Sequence, residues 1–229
     1  MRPQRWGLGA FLLVGLVYLV SAQLVGALLG GQGTVAVSTL VLAVAVPTLL
    51  AAGLAMLITT LRGNGPRIDL RLHWSWRSAG VGALFGVGGL ILTLPAAAVW
   101  IAIVGEDANS AVGAVFGDVR GTWAWAVVVF AIVVVVAPVC EEIVYRGLLW
   151  GAVERRWGPW AALIVTTVVF AIAHLEWERA PLLLVVALPI GLARLYTDSL
   201  VASIAAHQVT NVLPGLLLML SVAGAVPGV

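Results

Sequence analysis

Residues 123–156 read WAWAVVVFAIVVVVAPVCEEIVYRGLLWGAVERR, and this stretch decides the fold. The run 123–153 reads as one spanning helix, for which about 20 apolar residues suffice,. Glu141, Glu142 and Arg146 then appear with apolar sequence on both sides. At about 1.5 Å per residue, a helix over 123–153 is roughly 46 Å long, with Glu141 roughly 20 Å from its Arg155 end and close to mid-membrane when tilted. A charge at that depth costs a few kcal/mol or more, so these side chains require partners inside the protein.

Working outward, the rest of the chain has the same character. Of its 229 residues, 62% are apolar and 10% charged, and the mean hydropathy is +1.11; such a surface faces lipid and excludes an ordinary soluble domain. Apolar runs predict spans at 8–29, 35–61, 79–104, 123–153, 159–175, 181–193, 199–213 and 215–226,. The expected fold is therefore all-α, a polytopic membrane helical bundle of seven to eight transmembrane helices. Residues 1–122 supply amino-terminal helices and loops, and 123–229 a helical core that carries the chemistry, the two forming one integrated membrane domain. Pro47, Pro95, Pro138 and Pro189 are expected kinks, and Gly31–Gly33 a turn,.

Arg2 and Arg5 before Leu8–Val20, with Val20-Ser21-Ala22 following, imitate a cleavable signal, but the apolar run continues through Leu29 and reads as a full span,. Arg2, Arg5, Arg62, Arg67, Arg71, Arg77, Arg155 and Arg156 fall in loops of one side. Glu106, Asp107, Asp118, Glu176 and Glu178 dominate the other. The positive-inside rule then predicts a cytoplasmic amino terminus. Trp74, Trp76, Trp123, Trp125, Trp157 and Trp160 sit at the expected helix ends as interfacial markers, and 62–77, with His73, reads as an interfacial stretch. All twelve basic residues are arginines, and they form no stripe for nucleic acid,. The lone Cys140 excludes an internal disulfide and reads as packing,.

Glu142 and Arg146 are four apart with the acid first, the favourable order for a helical ion pair, and are assigned to structure. Glu141, rotated about 100° from Glu142, has only Tyr145 at helical spacing and must find polar company on another helix. His174 ends the run LIVTTVVFAIAH one turn after Phe170, and His207 and Asn211 share a face in SIAAHQVTNVL. A carboxylate beside an imidazole can take a proton from water, while a histidine and an asparagine can donate to the oxyanion of an attacked carbonyl. Glu141 with His174 would then activate water, and His207 with Asn211 would stabilise the tetrahedral intermediate. Glu141, His174 and His207 can alternatively hold a zinc ion with water as fourth ligand. Metal-free water activation is preferred, because a ligating Glu141 would leave the reaction needing another base. Ser199 and Ser203 with His207 are a weaker serine-hydrolase arrangement.

EEIVYR fits the pattern EExxxR, FAIAH fits FxxxH, and HQVTN fits HxxxN, in that order on successive helices. In these motifs the chain resembles the CAAX protease and bacteriocin-processing (CPBP, Abi) family of intramembrane endopeptidases, with similarity to the type II CaaX prenyl endopeptidase. The resemblance covers Trp123 to about Leu213. It implies catalytic roles for Glu141, His174 and His207, with Asn211 assisting at the oxyanion. It implies a peptide or lipidated protein as substrate in the bilayer of a bacterial cell, and leaves metal dependence, prenyl recognition and oligomeric state open. Two other classes compete: a non-enzymatic immunity or assembly protein in which these groups only fix helix packing, and a proton-coupled transporter, which would be expected to show inverted repeats.

Overall fold

A computed structural model describes residues 4–29, 36–105 and 119–226, and all regular structure among them is helical. The elements are α1 (Leu8–Leu29), α2 (Val37–Arg62), the short α3 (Pro66–Asp69) and α4 (Trp76–Val104). A helical run Trp123–Ala173 follows, then two further helices, Ala180–Thr197 and Leu200–Val222. Six helices are long and apolar enough to cross a membrane. The run Trp123–Ala173 breaks at Gly158, where φ is 81° and ψ 174°, a conformation only glycine adopts without strain,. Pro159 then opens the next rod, as a proline suits a helix start. Counting the rods on either side of the break as α5 (123–157) and α6 (159–173), with α7 (Ala180–Thr197) and α8 (Leu200–Val222), the described residues form seven long rods, within the expected seven to eight. Arg2, the turn Gly31–Gly33 and the acids Glu106, Asp107 and Asp118 lie outside the described residues.

The separate spans expected at 199–213 and 215–226 are one helix, which continues through Pro214. The reason is close packing: a Cβ on Gly215 would come within 2.5 Å of Val134 Cγ2, so α8 lies hard against α5 on the far side of the proline. The span expected at 181–193 extends to Thr197 and draws Arg194 inside the helix.

Alternating rods bring the loops to two faces. Arg5 N–H bonds to the Arg62 carbonyl at 2.8 Å and Leu200 N–H to the Arg71 carbonyl at 3.2 Å. Arg155 Nη2 donates to the Trp6 carbonyl at 2.8 Å. One face thus collects the amino terminus, 62–75, the Gly158 corner and 198–199, matching the grouping of arginine-bearing loops. The opposite face is closed by Gly121 N–H on the Val222 carbonyl at 2.8 Å. Exposed Trp74, Trp76, Trp157 and Trp160 ring the first face, and Trp123 and Trp125 mark the second,.

The expected kink at Pro138 takes another form. Within α5, Ile132–Val136 and Ile143–Leu149 are π-helical, flanking the α-helical turn Ala137–Glu142 that holds both acids. In the first π segment Ala137 N–H reaches back to the Ile132 carbonyl. Val133 would next look to residue 138, a proline with no N–H. Asn211 Nδ2 on α8 donates to that carbonyl at 3.0 Å. In the second segment Trp150 N–H bonds to the Tyr145 carbonyl, which releases the Arg146 carbonyl. Arg194 Nε on α7 fills that vacancy at 3.2 Å. Each register shift is thus held open by a side chain from another helix.

α8 also packs tightly on α4 through small residues. A Cβ on Gly82 would sit 2.1 Å from the Ala202 carbonyl oxygen, and one on Gly86 2.7 Å from that of Ala206. These glycines are four apart and face alanines four apart, a spacing that lets two helix backbones approach. Gly86→Leu should therefore force α4 away from α8 and lower stability by about 1–3 kcal/mol, the usual range for overpacking. A thermal melt in detergent beside the control Gly88→Leu checks this, since a Cβ on Gly88 meets nothing within 4 Å.

Candidate active site

The acidic turn of α5 faces α8, and a carboxylate buried there needs donors within reach. Glu142 and Arg146 are both fully buried and pair at 3.0 Å through Oε1 and Nη1. Arg146 Nη2 also donates to the Ala187 carbonyl of α7 at 3.2 Å, and its guanidinium lies 4.6 Å from the centre of the Phe170 ring. The i,i+4 pair expected between Glu142 and Arg146 is therefore present, tied to a second helix and to an aromatic face.

The same Glu142 oxygen takes a second bond, from His207 Nδ1 at 3.0 Å. A carboxylate facing an arginine accepts and does not donate, so Nδ1 carries a proton and Nε2 is turned away from Glu142. Nε2 lies 3.8 Å from Glu141 Oε2. The two adjacent acids thus bracket one imidazole: Glu142 holds its back edge and Glu141 faces its front. Glu141 is the more accessible, with 28% of its side chain exposed against 5% for His207. Glu142 thus holds the His207 ring as well as pairing with Arg146, a contact the sequence did not reveal.

His174 lies at the carboxyl-terminal end of α6, where Nδ1 donates to the Phe170 carbonyl one turn back at 2.7 Å. Its ring centre is 4.5 Å from that of Phe170, which is itself 5.6 Å from His207 and 5.3 Å from Tyr145. Phe170 is the hub: both histidines and Arg146 pack on one ring. Asn211 lies one turn beyond His207 on α8, with one of its two N–H groups on Val133. It lies mid-helix.

Several weaker candidates resolve. Cys140 is buried. Ser203 Oγ donates to the Leu200 carbonyl at 3.0 Å, a backbone bond of the kind serines make inside helices,. Among the described residues no three His, Cys, Asp or Glu side chains converge as metal ligands, so Glu141, His174 and His207 are not drawn together as a zinc set in this conformation. Arg194 is an ionisable residue that span reading missed. It is 2% exposed, lies 5.1 Å over the Trp150 ring and pairs with Asp198 at 2.8 Å. Its signal was the four-residue spacing to Asp198, obscured because the apolar run was cut at 193.

With the geometry in place, the chain can be compared with known proteins. Residues 123–213 match the family model described as type II CAAX prenyl endopeptidase Rce1-like. The matched segment is the one that bears EEIVYR, FAIAH and HQVTN. It comprises α5 to α7 and α8 as far as Leu213, and a membrane peptidase is the activity this family carries. No curated protein and no solved structure matches the chain.

Removing Arg146 should cost far more than a surface ion pair, because Glu142 would keep its charge in a dry interior. Arg146→Met is expected to lose about 3–5 kcal/mol, and adding Glu142→Gln should restore part of it. A double-mutant cycle on melting temperature or denaturant midpoint measures the coupling, and additive effects would show the pair is not coupled.

Proposed function

We propose that this protein is an intramembrane endopeptidase that hydrolyses a peptide bond of a membrane-associated or lipidated peptide without a resident metal. The observation that carries the reading is Glu141, the more exposed acid, set 3.8 Å from an imidazole whose other nitrogen is fixed by a buried acid. That gap is too long for a direct hydrogen bond.

In the proposed reaction Glu141 accepts a proton from water as its oxygen attacks the scissile carbonyl carbon. His174, its Nδ1–H held by the Phe170 carbonyl, turns its Nε2 lone pair toward the second water proton and orients the nucleophile. The carbonyl π electrons move to oxygen, and this oxyanion accepts from Asn211 and from His207 in its protonated form, whose Nδ1–H remains on Glu142. Collapse of the intermediate breaks the C–N bond, and Glu141 returns its proton to the departing amine. Within this reading the arginine-bearing face is cytoplasmic, by the positive-inside rule.

A second reading is a scaffold without catalysis, favoured by the structural use of Asn211 on Val133 and His174 on Phe170. The two are separated by Glu141→Gln, which preserves shape and removes the base: the peptidase loses activity and the scaffold keeps its function.

In cleavage of a membrane-presented peptide library by the purified protein, Glu141→Ala and His174→Ala should retain the wild-type melting temperature. Glu141→Ala should lower the rate by about 10²–10⁴-fold, the range for loss of a general base. His207→Ala or Asn211→Ala should lower it by about 10²–10³-fold, as for loss of an oxyanion donor. Retained cleavage in Glu141→Ala would overturn the assignment, and loss of wild-type cleavage in a zinc chelator would overturn the metal-free step.

A further inference from the structure

On the arginine-bearing face, separate from the acid and histidine cluster, a cleft of ≈ 600 Å³ opens between the amino terminus, the α3 loop and the end of α5. Arg67, Arg71, Arg155, His73, Trp74 and Glu154 line much of it. Its two carboxylates are already engaged. Asp69 accepts from Gln4 at 2.8 Å, Trp6 at 2.9 Å and Asn64 at 3.0 Å, which holds the loop together. Glu154 faces Arg71 at 3.4 Å, and Arg71 also pairs with Asp198. The Arg155 guanidinium lies 4.0 Å over the Trp6 ring. Arg67 is exposed and has no ion pair or side-chain hydrogen bond among the described residues. Asp69, Glu154 and Asp198 are all engaged, and Arg67 pairs with none of them, so its charge stays available; a planar guanidinium fork matches phosphate oxygens,.

We propose that this cleft binds the phosphate of an anionic phospholipid headgroup, with Arg67 as its principal ligand. Charge selects the phosphate, and the cleft's position selects a lipid over a soluble anion. Trp74 is 65% and Ile68 47% exposed on the cleft wall, and Leu57 and Leu61 are exposed on the adjoining end of α2. A lipid uses both features, phosphate among the arginines and acyl chain along the apolar helix end. A free phosphate ester would use only the first. Basic pockets at the headgroup level of a helix bundle recognise anionic lipids in this way.

The test uses the full chain, purified in detergent and offered phosphatidylglycerol or phosphatidylcholine, with retained lipid counted by native mass spectrometry. Wild type should retain phosphatidylglycerol preferentially. Arg67→Gln should weaken that retention roughly fivefold and Arg67→Lys should recover most of it, as expected for one charge near the membrane surface. Melting in pure phosphatidylcholine nanodiscs should be unchanged in both variants, which separates lost binding from lost fold. Equal retention by wild type and Arg67→Gln, or equal retention of the two lipids by wild type, would overturn the site. Displacement of phosphatidylglycerol by millimolar inorganic phosphate would overturn the lipid assignment in favour of a soluble phosphate ligand.

Discussion

Glu142 cannot be ionised inside this bundle without help, and most of the surrounding structure can be understood as that help. Its fully buried carboxylate takes Arg146 from its own helix and His207 from α8. Arg146 in turn needs the Ala187 carbonyl and the Phe170 face, which bring in α7 and α6. Four rods therefore converge because one carboxylate must be neutralised away from water, where an unpaired ion is far costlier than a paired one. The same demand orients the imidazole that faces Glu141, so the arrangement that makes the interior tolerable also prepares the pair with chemical potential.

The backbone of α5 takes part in this arrangement. Two π segments bracket the acidic turn, and each exposes one carbonyl that another helix must satisfy. Asn211 and Arg194 do so, which ties α8 and α7 to fixed points on either side of Glu141 and Glu142. Arg194 continues through Asp198 to Arg71 in the interfacial loop. A polar chain thus runs from the headgroup level to the buried pair with each member held by a named partner.

Much of this was legible in the sequence, and what was not has physical causes. Apolar run length fixed the membrane class, the helical content and the division at Gly158, because the cost of exposing backbone to lipid leaves few alternatives. Helical spacing identified the Glu142–Arg146 pair, since i,i+4 geometry is local. The bond from His207 to Glu142 was not legible: 65 residues separate them, and tertiary packing alone chooses which of two adjacent acids an imidazole meets. The π registers were equally hidden, since a shift from i+4 to i+5 depends on donors from other helices. Cutting α8 at Pro214 and α7 before Arg194 came from treating a proline and a charge as ends, where neighbouring helices supply what each requires.

The short rod α6 has a consequence for the membrane itself. Residues 159–173 span only about 22 Å, against a hydrocarbon layer near 30 Å, and the chain turns back at His174,. Lipid cannot follow so short a helix without deforming. On the side where His174 ends the rod, the leaflet must thin, or its headgroups and their hydration must dip inward. The protein would then shape its own bilayer into a dimple above the histidine, and water would reach about 8 Å below the usual edge of the hydrocarbon by a path made partly of lipid.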